Sequence, residues 1–120
     1  MLVVDDQEPF RRAMIAVVEE TDGFVVVGSA ASGEDALLTA AQVRPDLVLM
    51  DVHLPGIDGR EAGRRLRSAG SGPVVVLLST YDEDQVDVAG SDAAAYVPKA
   101  AFGPDRLAEI WQRHGKDAVA

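Results

Sequence analysis

The chain has 120 residues, 48% of them hydrophobic and 26% charged, the length and balance of one globular domain with its own core. It contains no cysteine, which excludes a disulfide framework, thiol catalysis and Cys-ligated zinc. With 11 basic and 20 acidic residues its net charge is −9, a sign that repels nucleic acid and anionic lipid and attracts metal cations or a basic partner face.

Leu2–Val4 predicts a short buried strand that ends on Asp5 and Asp6. Pro9 suits the first turn of a helix, and Phe10, Met14, Val17 and Val18 follow at the spacing of one helix face. Asp22-Gly23 predicts a turn and Phe24–Val27 the second strand. Ser32-Gly33-Glu34-Asp35 opens a helix with Ala36, Leu37, Ala40 and Ala41 on its apolar face, and Pro45 stops it. Leu47–Met50 is the third strand, again followed by an acid, Asp51. A loop over Val52–Gly59 carries Pro55-Gly56 and Asp58-Gly59. Glu61–Ala69 reads as a helix with Ala62, Leu66 and Ala69 facing in, and Val74–Leu78 is the most continuous apolar strand. Glu83–Ala89 predicts a short, mobile helix: its apolar face is small, and Asp82, Glu83, Asp84 and Asp87 repel one another. Ala94–Val97 is the last strand, and Asp105–His114 the last helix, with Leu107, Ile110, Trp111 and His114 on one face. The domain is expected over residues 1–114, with 115–120 a tail or linker stub. No apolar run approaches the roughly 18–20 residues of a membrane span. The chain starts without a basic n-region or a cleavage site, so a cytoplasmic location is expected.

Strands alternating with helices imply an α/β fold, a parallel sheet covered on both faces. The runs at 47–50 and 74–78 are apolar without alternation, as in strands buried on both sides. Five such units predict a flavodoxin-like (βα)5 domain with strand order 2-1-3-4-5. Ligands in such sheets bind outside the carboxyl ends of the strands. The residues there are Asp5 and Asp6 after strand 1, Asp51 after strand 3, Ser79 and Thr80 after strand 4, and Lys99 after strand 5. Carboxylates about 5 Å apart repel by roughly 3 kcal/mol per pair at an effective dielectric near 20. A hard divalent cation offsets that, and Mg²⁺ favours one or two carboxylates with waters and a phosphoryl oxygen. With Lys99 and a hydroxyl beside one free carboxylate, the set suits phosphoryl transfer onto that carboxylate. The turn after strand 1 has no glycine, which argues against a dinucleotide fingerprint or a P-loop, and no Gly-x-Ser-x-Gly elbow is present.

Leu2-Val3-Val4-Asp5-Asp6, then Asp51-Val52-His53-Leu54-Pro55-Gly56-Ile57-Asp58-Gly59, then Leu78-Ser79-Thr80 and Tyr96-Val97-Pro98-Lys99 follow in order at the four strand ends. In these pieces the chain resembles the receiver domain of bacterial two-component response regulators, closest in pattern to receivers that precede helix-turn-helix effectors. The resemblance implies that Asp51 accepts a phosphoryl group from the phosphohistidine of a sensor histidine kinase. It implies that Asp6 ligates Mg²⁺ directly, that Asp5 does so mainly through water, and that Asp51 and the carbonyl of His53 complete the protein ligands. Lys99 would contact a phosphoryl oxygen, and Ser79 and Tyr96 would fill the hydroxyl and aromatic switch positions. The phosphate adds about −1.5 to −2 charges. Ser79 would swing to it and Tyr96 would move inward, remodelling the face of the fourth predicted helix, strand 5 and the last helix for protein interaction or homodimerisation.

Thr80 fills the family's small-residue position. His53 and Tyr81 flank the path of attacking water, so slow hydrolysis of the aspartyl phosphate is expected and no conventional enzyme activity. The family usually has proline after its lysine, where this chain has Ala100. Trp111 and His114 read as packing residues, and Arg60, Arg64, Arg65 and Arg67 as a solvated helix face. Rival readings are the regulatory half of a DNA-binding transcriptional regulator, in which this domain itself binds no nucleic acid, and a phosphorylation-independent scaffold. A Mg²⁺-dependent phosphatase of another α/β family fits less well, because position 53, two residues after the candidate nucleophile, is His rather than an acid.

Overall fold

In the structure, a computed structural model, residues 1–68, 72–79 and 93–119 are described. Strands β1 (Leu2–Val4), β2 (Gly28–Ala30), β3 (Leu47–Asp51), β4 (Val74–Ser79) and β5 (Ala95–Pro98) form one parallel sheet in the order β2-β1-β3-β4-β5. The helices among the described residues are α1 (Glu8–Glu20), α2 (Gly33–Val43), α3 (Gly59–Ser68) and α4 (Pro104–Val119), with one 3₁₀ turn at Lys99–Ala101. The expected fold class and strand order hold.

Strand parity divides the core in two, because successive side chains point to opposite sheet faces. Leu2, Val4, Val48, Met50, Val75 and Leu77 face Ala36 of α2 and Ala62 and Leu66 of α3. Val3, Leu47, Leu49, Val74, Val76, Leu78 and Val97 face Met14 and Val18 of α1 and Leu107 and Ile110 of α4. Both sides being apolar is what produced the unbroken hydrophobic runs in β3 and β4.

The second strand is not where hydropathy put it. Phe24–Val27 lies ahead of the ladder, with Val25 69% and Val27 47% exposed, and the pairing residues are Gly28, Ser29 and Ala30 opposite Leu2, Val3 and Val4. An edge strand is specified by its pairing with one neighbour more than by burial. The amide of Val27 still donates to the Met1 carbonyl at 2.9 Å, so the segment runs alongside β1 before the ladder begins. On α2, Ala36 is buried and Leu37 and Ala40 are half-buried, but Ala41 is exposed. The last helix continues through Val119, so residues 115–119, expected as a tail, are helical. The predicted helix at Glu83–Ala89 and the inward-facing Ala69 lie outside the described residues.

Helix α2 starts as its sequence predicts, with the Ser32 hydroxyl accepting the Asp35 amide at 3.1 Å. Helix α3 starts where the sequence marks only a turn, at Asp58-Gly59. The Asp58 carboxylate accepts the Glu61 amide at 2.9 Å and pairs with the Arg60 guanidinium at 3.3 Å. Partial burial by itself raises the Asp58 carboxyl, but these donors outweigh it and hold its pKa below the usual 3.8. Asp58 therefore stabilises the fold above that value, and the contribution is lost as pH falls through the lower folded one. Asp58→Ala is expected to cost about 1 kcal/mol in urea unfolding at pH 7. The gap between variant and wild type should close in acid.

Candidate functional site

Three strand ends and one helix start build the site at the carboxyl edge of the sheet. β1 runs into Asp5, which is 0% exposed. Its Oδ1 accepts the Gln7 amide at 2.9 Å, and its main-chain carbonyl accepts Arg11 Nη1 at 2.9 Å, so the start of α1 is tied to this residue. Asp6, the next residue, is exposed. β3 delivers Asp51, buried, with Oδ1 accepting the His53 amide at 3.0 Å. Lys99, just beyond β5, closes the group: its Nζ donates to Asp5 Oδ2 at 2.8 Å and to Asp51 Oδ2 at 3.2 Å. Among the described residues no peptide bond is cis. Lys99 therefore spans both carboxylates with Ala100 after it and a trans bond between.

A carboxylate oxygen from each of Asp5, Asp6 and Asp51 lies within 4.8 Å of the other two. Buried Asp5 and Asp51 supply an inner wall and exposed Asp6 the mouth, an all-oxygen donor set open on one side to water. That chemistry fits a hard divalent cation, which keeps several waters and takes one or two carboxylates. Desolvation drives the pKa of Asp51 up. The His53 amide and the Lys99 charge pull it down, Asp5 pushes it up, and the net direction is above the ordinary carboxylate value. Burial works against the Lys99 ammonium, but its hydrogen bond to Asp5 and the charge of Asp51 prevail and its pKa is raised. Lys99 is thus a cation at neutral pH.

Ser79, the last residue of β4, is fully buried. Parity puts it on the same face of the sheet as Leu77, and Tyr96 shares that core. Tyr96 is already buried in this structure rather than waiting outside. The His53 side chain is exposed, and it is the residue's amide that reaches Asp51. Thr80 and Tyr81 lie outside the described residues. Trp111 packs edge-on against Phe24, with ring centroids 6.3 Å apart, far from this edge of the sheet in role and in partners. The side chain of His114 is outside the described residues. Arg60, Arg64 and Arg65 pair with Asp58 and Glu61 on a half-exposed surface, as a solvated face does.

Two features of the site are not evident from the sequence. Phe10, expected on the core face of α1, is 38% exposed, and its ring lies under the Lys99 ammonium, 4.0 Å from Nζ to centroid. Gly59 lets α3 approach the end of β3: its amide donates to the Val52 carbonyl at 2.8 Å, and a Cβ there would collide with the Asp51 carbonyl oxygen. Gly59→Ala should cost about 2 kcal/mol in denaturant unfolding, since the clash is with backbone and cannot relax by a rotamer change.

A family model for the response regulator receiver domain matches residues 1–112. Response regulator GacA of Pseudomonas viridiflava is 40% identical over 103 residues, covering 84% of this chain and 48% of its own. A protein-glutamate methylesterase/protein-glutamine glutaminase of a Nocardioides strain is 38% identical over 105 residues, 84% of this chain and 29% of the relative. The chain thus spans half or less of the length of these curated relatives. Among solved structures, the signal receiver domain of NarL from Mycobacterium tuberculosis superposes with a TM-score of 0.85 at 26% identity, covering 96% of this chain and 94% of that one. The response regulator domain of Thermotoga maritima CheB superposes with a TM-score of 0.77 at 25% identity, covering 92% of each.

Proposed function

From the premise that this chain belongs to the receiver-domain family of two-component response regulators, we propose that it is a phosphoacceptor whose reacting atom is a carboxylate oxygen of Asp51. The observation that carries the reading is the single lysine joining two buried carboxylates beside a third, exposed one. A sensor histidine kinase is the donor. An Asp51 oxygen attacks the phosphorus of its phosphohistidine, the O–P bond forms as the P–N bond breaks, and the imidazole nitrogen leaves with the electron pair and takes up a proton. Mg²⁺ held by Asp6, Asp5, Asp51 and the His53 carbonyl would neutralise charge on the transferring oxygens.

The chain's own residues do the rest. The His53 amide fixes one oxygen of Asp51, leaving the other, now on Lys99, to react. As the phosphoryl group arrives, Lys99 keeps its bond to Asp5 and follows the new oxygens with its other donors. The Ser79 hydroxyl, buried at the end of β4, turns toward the same oxygens. Its reorientation loosens the packing around Tyr96 and alters the face that includes β5 and α4, through which the domain meets a partner or a second copy. A cytoplasmic setting follows from the kinase donor, and among the described residues no helix is long and apolar enough to cross a membrane. Relatives such as the positive alginate biosynthesis regulatory protein of Pseudomonas aeruginosa, 34% identical over 114 residues and 46% covered, support a role in switching a regulator's output, transcription included.

The test is intact mass after incubation with a small phosphodonor, with Mg²⁺ or with a chelator. One phosphoryl adduct with the metal and none with the chelator is the expected result. No adduct in protein shown to be folded would favour the scaffold reading.

A further inference from the structure

The first turn of α1 serves the site in three ways. Its leading amide, from Gln7, and the Arg11 guanidinium both bind Asp5, and the Phe10 ring faces the Lys99 ammonium. The first fixes the Asp5 carboxylate and the second its main-chain carbonyl. The third is unexplained by folding, because Phe10 belongs to neither half of the core and is among the few large apolar side chains left exposed. With Ala13, Met14 and Val17 it forms one wall of an apolar groove, whose other wall is Lys99, Ala100 and Phe102.

We propose that Phe10 is a positioning residue, whose ring face holds the Lys99 ammonium between Asp5 and Asp51. A lysine carries a flexible four-carbon stem, so two carboxylate bonds on one side do not by themselves prevent its head from swinging out to water. An aromatic face is negative and attracts a cation within about 6 Å of its centroid. At 4.0 Å the ring gives the ammonium a third contact beside its two carboxylate bonds. The consequence for the reaction rests on the phosphoacceptor reading: Lys99 must move with the phosphoryl oxygens yet stay in the site, and a ring wall permits sliding where a third ion pair would pin it.

The experiment uses Phe10→Leu, which keeps an apolar side chain without a π face, and Phe10→Tyr, which restores the ring. The chain has two lysines, so isotope-labelled lysine gives a sparse spectrum in which the Lys99 signal is readily assigned. In the wild type, the ε-methylene protons of Lys99 should resonate upfield of their position in the urea-unfolded chain through the ring current. Phe10→Leu should abolish that offset and slow adduct formation with a small phosphodonor and Mg²⁺ by about threefold, the size of an exposed cation–π contact. Phe10→Tyr should restore both. An offset that survives Phe10→Leu, or a tyrosine variant as defective as the leucine one, would overturn the proposal. A wild type that takes no phosphate would refute the phosphoacceptor reading instead, and the resonance offset would then decide the role of Phe10 without it.

Discussion

Lys99→Ala is expected to lower stability by about 3 kcal/mol at neutral pH, because it strips the cation from two buried carboxylates at once. Asp5 and Asp51 would then face each other across the site, each keeping one backbone donor, Gln7 and His53 respectively. The pH dependence has a definite sign. The Lys99 pKa is raised, so the stabilisation it provides is complete below the ordinary value of 10.5 and is lost only as pH climbs through the higher folded value. At pH 7 the wild type has all of it. In the variant Asp51, whose pKa burial already raises, gains by protonation, so the deficit should shrink as the solution is made acidic. Urea unfolding of both proteins from pH 7 downward checks this. A deficit that stayed constant into acid would mean that lost packing of the lysine stem, not lost charge, had been measured.

Asp51→Asn should act in opposite directions on function and on stability. It removes the nucleophile, so the phosphoryl adduct should vanish altogether. It also removes a charge that burial disfavours. The Asp51 pKa is raised in the folded protein, chiefly by desolvation, so the folded state gains stability as pH falls through that range and carries a penalty above it. The asparagine has no such penalty, its carbonyl oxygen can still accept the His53 amide, and Lys99 keeps Asp5. The variant should therefore be more stable than the wild type at pH 7, with the difference fading as pH falls through the raised folded value and gone below the ordinary 3.8. A variant less stable at neutral pH would show that the Lys99–Asp51 bond outweighs the desolvation of Asp51.

Much of this arrangement is legible in the sequence, and the parts that are not have physical reasons. Leu47–Met50 and Val74–Leu78 announce buried parallel strands because both sheet faces are apolar, and the acids after the first and third of the strands then fall on one edge without further information. β2 is different. Its ladder residues Gly28, Ser29 and Ala30 are small and only Ala30 is buried, while the more hydrophobic Phe24–Val27 beside it carries exposed valines. Hydropathy therefore chose the wrong four residues. Asp58-Gly59 reads as a turn, yet Asp58 sits three residues before the amide it accepts, a spacing that could have marked a helix start. Phe10 had the right period for the core face of α1, and only the tertiary placement of Lys99 explains why its ring turns aside. Period alone cannot distinguish a ring that packs on aliphatic neighbours from one that packs on a cation.

Phosphorylation is expected on Asp51, as an acyl phosphate. The most direct test is to treat phosphorylated protein with borohydride, which reduces an acyl phosphate to the alcohol, and to map the change by peptide mass. Homoserine at position 51 alone is the predicted result. Homoserine at position 5 or 6, or an adduct that resists the reagent and maps to His53 or Ser79, would contradict it.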